Sequence, residues 1–240
     1  MIAAYAGGAI GARTAARAGS TIVVVDAFRA STTTAVLVSK GARVLPVASI
    51  EEASSFQADF RAGERGSAKV AGFDFGNSPT EIMEAKIPPG STVAFSTTNG
   101  ARVIEAAKGA PAIFAGSFVN ATAIADAMQD NDFDLVTVVG CGWEGHRSSE
   151  DEVAAGAILY RLESLGVRLE DRARRVADTY LSRPAERLWS NSAARRLKRL
   201  GYERDIGFCL AEDTVPVAPR LLDGMFKESL LPRVQPRSGC

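Results

Sequence analysis

Five short polar clusters carry the residue types from which a reaction site could be built: Asp26, Arg29 and Ser31; Asn77 and Ser78; Thr97, Thr98 and Asn99; Ser117 and Asn120; Glu150 and Asp151. Hydroxyls, amides and glycine turns beside arginine suit a tetrahedral oxyanion. The carboxylates Asp26, Asp74, Glu150 and Asp151 offer oxygen donors, which suit a hard cation such as Mg²⁺. Together they point to phosphoryl chemistry. No GxxxxGK[ST] loop is present to cradle a nucleoside triphosphate, and no GxGxxG follows the first strong strand. Phosphate monoester hydrolysis is therefore favoured over kinase or dehydrogenase chemistry. The one histidine, His146, sits in a glycine-rich loop without a nucleophile-elbow motif, so a catalytic triad has little support. A role for it as general acid toward a leaving alkoxide stays conceivable.

The elements that must position these clusters alternate in type. Residues 22–25 form an apolar, β-branched run, the composition of a strand buried on both faces. It stops at Asp26, and a helix over residues 35–40 is expected after a turn rich in hydroxyls, an arrangement that favours a bound anion at the helix start. Capping by Asp26 or Ser31 with a solvated Arg29 is the plainer reading of that segment. Further strands are expected at 44–47, where Pro46 suggests an edge, and at 70–71, 92–95, 112–115 and 135–139. Helices are expected at 51–61 with Ser49 near the cap, at 80–85, 101–108, 121–129, 152–165, 169–179 and 187–200. The basic run 195–199 reads as a solvated helix face. Segments 205–210 and 214–219 read as extended, and the tail from Pro232 as loose.

This alternation implies an α/β fold with a largely parallel sheet covered on both faces. Ligands gather at the carboxyl ends of such strands, and all five polar clusters follow predicted strands. A chain of 240 residues can form one α/β domain, or two subdomains sharing a sheet with a division near residue 165. Lys+Arg and Asp+Glu balance at 28 each, so no net field would draw in nucleic acid or an anionic membrane. No apolar run is long enough to span a bilayer. In the alanine-rich N-terminus, Arg13 and Arg17 follow the apolar part, opposite to a secretory signal, so a cytoplasmic location is expected. Cys141, Cys209 and Cys240 lack zinc or redox spacing and read as reduced thiols.

The segments DAFRASTTT (26–34), GERGSAKVAGFDFGNSPTE (63–81), STTNGAR (96–102), FAGSFVNATA (114–123) and SSEDEVAAG (148–156) resemble, in order and spacing, the 2-phosphosulfolactate phosphatase (ComB-like) family. The segment GYERDIGFCLAEDTVPV (201–217) is similar to that family's C-terminal part, so the resemblance covers about residues 21–217. It implies a three-layer α/β/α sandwich and a Mg²⁺-dependent hydrolase releasing phosphate from 2-phospho-3-sulfolactate, a substrate tied to coenzyme M biosynthesis. Carried onto this sequence, it implies Asp26 as the central carboxylate, with Arg29 neutralising the anion and Arg65 as a second guanidinium. Ser31, Asn77, Ser78, Thr97, Thr98 and Asn99 would line the substrate pocket, and Asp26, Glu150 and Asp151 would bind the metal. Glu150 could instead be a favourable charge at a helix N-terminus. Adjacent helical residues diverge by about 100°, so both acids bind one ion only if they precede regular helix.

The expected mechanism is in-line displacement, with Asp26 as metal ligand or nucleophile. Phe28 stands where aspartyl-nucleophile phosphatases of the haloacid dehalogenase type carry a second acid, which favours the ligand role. Hydrolysis of another small phosphorylated acid, and a non-catalytic anion-binding module, remain alternatives. Arg147 is a candidate for holding the sulfonate, and a homodimer is left open.

Overall fold

The computed structural model describes residues 1–131, 133–183 and 185–229. The alanine-rich N-terminus folds as strand β1 (Ile2–Gly7) and helix α1 (Gly8–Arg17). Next come β2 (Thr21–Val25), α2 (Ala30–Ser39), β3 (Arg43–Val47) and α3 (Ile50–Ser55). Then follow β4 (Phe60–Arg65), β5 (Ala68–Lys69), α4 (Pro79–Glu84), β6 (Thr92–Ser96) and α5 (Gly100–Ala106). β7 (Ile113–Gly116), α6 (Ala121–Asp130), β8 (Leu135–Gly140) and α7 (Ser149–Ser164) continue the alternation. The last third contains β9 (Arg168–Leu169), α8 (Asp171–Ser182), α9 (Ser192–Arg199), α10 (Glu203–Leu210), β10 (Pro219–Leu222) and β11 (Met225–Glu228).

The strands form one sheet in the order β5-β4-β6-β3-β11-β10-β7-β2-β8-β1-β9. Pairing is parallel on either side except at the edge, where β5 runs antiparallel to β4, while the C-terminal hairpin β10–β11 runs antiparallel between β7 and β3 and joins the two blocks. Successive side chains of β2 point to opposite faces, as the strand period of two requires. Val23 and Val25 enter a core with α6 to α10, whereas Ile22 and Val24 enter one with α1, α2 and α5. Helices thus cover both faces of a mixed, mostly parallel sheet, giving the expected three-layer sandwich. Among the described residues no helix is long and apolar enough to cross a membrane.

Several local expectations change. The helix after β2 begins at Ala30 rather than 35, so the hydroxyls of 31–34 lie inside it. Ser31, Thr32 and Thr34 donate back to the carbonyls of Val24, Ala27 and Ala30, which pairs three of the four hydroxyls of this buried helix start, while that of Thr33 has no partner among the described residues. β3 is interior: β6 pairs with all five of its residues, and β11 meets it only at Val44. Pro46 is tolerated because its missing N–H falls beyond the reach of β11. Ser49 does cap α3, accepting from the Glu52 N–H, but that helix ends at Ser55, and Phe60–Arg65 is a strand. The segment 205–210 is helical, not extended, and 214–219 leads into β10. Cys141 and Cys209 are buried free thiols, while the tail from Pro232, with Cys240, lies outside the described residues.

Candidate active site

Four carboxylates and two guanidiniums meet in one narrow cleft at the carboxyl ends of the parallel strands. Asp26 is the residue after β2, Glu64 lies in the last turn of pleat of β4, and Glu150 and Asp151 open α7 beyond β8. Arg29 reaches the cleft from the turn into α2, and Arg196 from α9. Asn77, Asn99, Ser67, Ser148, Trp143, Gly142 and Phe28 complete the lining. Asp26, Asn99 and Glu150, drawn from three distant segments, therefore share one rim.

Backbone geometry fixes two of the acids. Asp151 accepts the N–H of Ala27 and of Gly142, each at 2.8 Å, so it ties the exits of the adjacent strands β2 and β8. Gly142 is needed for this turn: its φ is +72°, and a Cβ there would lie 2.3 Å from the His146 carbonyl oxygen. Glu64 accepts from the N–H groups of Ser67 (2.6 Å) and Thr98 (2.8 Å), bracing the loops after β4 and β6. Asp26 and Glu150 are freer. Asp26 Oδ1 accepts the Ala30 N–H at 3.2 Å and Glu150 Oε2 accepts from Asn191 at 2.8 Å. Asp26 Oδ2 and Glu150 Oε1 have no hydrogen-bond partner among the described residues.

Burial pushes the Asp26 carboxyl up from 3.8 to about 7, aided by the charges of Glu64 and Glu150. Burial likewise raises Glu150, and it raises Asp151 well above the carboxylate range, with Asp26 and Glu150 adding repulsion. A cation would relieve this crowding of like charge. The all-oxygen donor set and the buried, unpartnered Asn77 Oδ1 fit a hard ion such as Mg²⁺. Among the described residues no three acids converge closely enough to form a ready-made metal cage. That suits an ion held by one or two carboxylates, with water and substrate oxygens filling the remaining positions.

The basic groups are held mainly by side chains. Arg29 is buried, and its Nη1 donates to Asp205 at 2.6 Å while Nη2 donates to the Ser67 carbonyl at 2.7 Å. Tyr202 stacks on its guanidinium with the centroid at 4.3 Å. Asp205 also accepts from the hydroxyls of Ser78 (2.8 Å) and Thr80 (2.5 Å). Arg196 Nε donates to Ser67 Oγ at 2.8 Å, and its guanidinium lies 3.7 Å from the Trp143 ring centroid.

Of the residues expected at the site, Asp26, Arg29, Asn77, Asn99, Glu150 and Asp151 line the cleft. Five others do not. Ser31 is occupied by Val24 O and the Asp26 N–H; Ser78 caps α4 and supports Asp205; Thr97 accepts the Ala101 N–H. Thr98 contributes its backbone N–H to Glu64, and Arg65 turns away to the Glu64 carbonyl and Ser96 Oγ. The acid pair sits within the first turn of α7, and its side chains diverge, Asp151 to Ala27 and Gly142, Glu150 to Asn191. Asp74 accepts the Arg61 N–H on the exposed edge, and Ser117 with Asn120 forms a capping box below β7. His146 lies outside the cleft in the exposed loop.

Glu64, Ser67, Trp143, Arg196 and Asp205 were not anticipated. Glu64 adjoins the quoted Arg65, and a glycine-flanked acid at a strand end was a usable signal. Arg196, by contrast, sits in the basic run read as a solvated face, and nothing local distinguishes it from Arg195 or Arg199.

The sequence model of the family described as 2-phosphosulpholactate phosphatase matches residues 11–224. A protein of Gloeobacter violaceus named "Probable 2-phosphosulfolactate phosphatase" is 38% identical over 208 residues, covering 82% of this chain and 86% of its own. Proteins of the same name from Caldanaerobacter subterraneus (35% identical; 87% of this chain and 90% of its own) and Thermotoga petrophila (38%; 86% and 91%) are similar over the same extent.

Proposed function

The chain belongs to the 2-phosphosulpholactate phosphatase family, and on that premise we propose that the cleft hydrolyses the phosphate monoester of a small organic acid with the help of Mg²⁺. The named substrate of its relatives, 2-phosphosulfolactate, is the first candidate. The observation that carries this reading is the meeting of four carboxylates and two guanidiniums in one cleft at the carboxyl ends of parallel strands.

Asp26 and Glu150, the acids with free oxygens, would hold the ion. Bound there, it would polarise the phosphoryl oxygens and lower the charge that an attacking water must approach. Arg29 and Arg196 line the same cleft and would stabilise the equatorial oxygens as charge redistributes. Both are preorganised, Arg29 by Asp205 and Tyr202, Arg196 by Ser67 and Trp143. Asn77 and Asn99 supply neutral amides that orient the ester. Asp151 and Glu64 keep the strand exits in register and place these groups within reach of one another. Asp26 acts as a ligand; its fixed contact with the Ala30 N–H and its proximity to Glu64 and Glu150 suit a cation site.

Magnesium-dependent phosphate release from a panel of phosphorylated small acids tests the reading. Release in the presence of Mg²⁺ and none in chelator is expected. A phosphorylated Asp26 trapped during turnover would reassign that residue as nucleophile.

A further inference from the structure

Beside the cleft lies a second cavity, and the two share Gly142, Ser148 and Asp151 as a common wall. The carboxylate cleft has a volume of about 20 Å³, its neighbour about 160 Å³. A single water needs ~10–15 Å³ by this measure, so the cleft admits an ion and the oxygens bound to it. The carbon skeleton of an ester must extend elsewhere, and the adjoining cavity is the space open to it.

Its lining differs in chemistry. Arg172, exposed on the first turn of α8, sets its guanidinium 5.2 Å from the ring centroid of Tyr5. No hydrogen bond or ion pair engages that guanidinium among the described residues. Arg147 also borders the cavity, but it is paired with Glu152. Tyr5 is only 8% exposed, yet its hydroxyl has no partner among the described residues. Burial pushes that phenol up to about 12, which keeps it a neutral donor. The hydroxyl can stand in the cavity because residue 140 is glycine: a Cβ there would lie 2.8 Å from it. A phenol donor that lines the cavity with no partner among the described residues, beside a free cation, is the complement of an oxyanion.

We propose that this cavity is the subsite for a second anionic group of the substrate, a carboxylate or sulfonate on the ester's carbon arm, held by the Arg172 guanidinium and the Tyr5 hydroxyl. The proposal rests on the phosphomonoester reading above and deepens it. Tyr5 precedes the stretch 11–224 matched by the family model, so this wall of the subsite lies outside the matched segment. The shared wall limits the substrate to a short arm, with phosphate and second anion a few bonds apart.

The test measures kcat and KM with Mg²⁺ for isopropyl phosphate, 2-phospholactate and 2-phosphosulfolactate, which carry none, one and two extra anions. In Arg172→Ala and Tyr5→Phe, kcat/KM for the anion-bearing esters should fall at least tenfold relative to isopropyl phosphate, mainly through KM. Arg172→Lys should recover part of that loss. Loss confined to 2-phosphosulfolactate assigns the sulfonate to the subsite, and loss on both acids assigns the carboxylate. Unchanged ratios among the three substrates, with wild-type turnover intact, would overturn the subsite alone. Failure of the wild type to hydrolyse any of the three would remove the phosphatase reading and the subsite with it.

Discussion

The acidic and basic walls of the cleft are anchored by different means. Asp151 and Glu64 are gripped by main-chain N–H groups at neighbouring strand ends, so their places follow from the register of β2 against β8 and of β4 against β6. Arg29 and Arg196 are positioned mainly by side chains, Asp205 and Tyr202 from the C-terminal segment and Ser67 and Trp143 from earlier loops, with the Ser67 carbonyl as a main-chain acceptor for Arg29. The difference separates what the sheet dictates from what the packing of α9 and α10 adds. It also predicts that the two walls fail differently under mutation.

The largest effect should come from the acidic wall. Asp26→Asn is expected to abolish phosphate release while the thermal midpoint holds or rises, since burial penalises the ionised carboxyl. Full activity in that variant would place the ion elsewhere. On the basic wall, Arg196→Ala should lower kcat by about 10²–10³-fold, the scale for removing one preorganised donor to a developing oxyanion, with circular dichroism unchanged. A loss visible only in KM would instead make Arg196 a ground-state binding group.

Asp205→Ala strikes the support of that wall rather than its working face. Arg29 and Asp205 are both almost wholly buried, so removing one partner leaves a charge without compensation, a cost of about 3–5 kcal/mol in denaturant unfolding. Asp205→Asn, which can still accept from Ser78 and Thr80, should cost less; equal loss in both would argue that packing, not charge, decides.

A pH series sharpens the comparison from the other side. Asp26 holds its proton up to about 7 in the folded chain, whereas its ordinary value is 3.8. Between those values the folded state binds more protons than the unfolded one, so metal-free stability should fall as pH rises through that window. Mg²⁺ binds the ionised form and offsets the repulsion, so its stabilising shift in melting temperature should be larger at pH 8 than at pH 5. An equal shift at both would detach the ion from these acids. The smallest effect belongs to Arg65→Ala, which should leave kcat/KM near wild type because that side chain turns to Ser96.

Local sequence was informative where a strand end and its following turn lie close in the chain. The β-branched run before Asp26, the Asn77 and Asn99 turns and the Glu150–Asp151 pair were all legible, because strand periodicity and turn chemistry are short-range properties. The same rules place Ser31 and Thr97 at the site, whereas in the fold their hydroxyls bond to main chain at the helix starts. A hydroxyl near a helix start can cap, back-bond or face a ligand, and only the true start of the helix chooses among these.

By itself, then, the sequence determined the alternation of strand and helix, the rim on which the acids gather and the family to which the motifs point. Tertiary structure alone decided which cations reach the rim, for Arg196 and its neighbours are chemically alike until α9 packs and turns one of them inward. It also decided where Asp205 lies, since its bond to Arg29 spans 176 residues, a separation over which no local pattern carries information. The physical reason is range: periodicity is written in neighbouring residues, whereas a site closed by distant helices exists only after the cores on both faces of the sheet have formed.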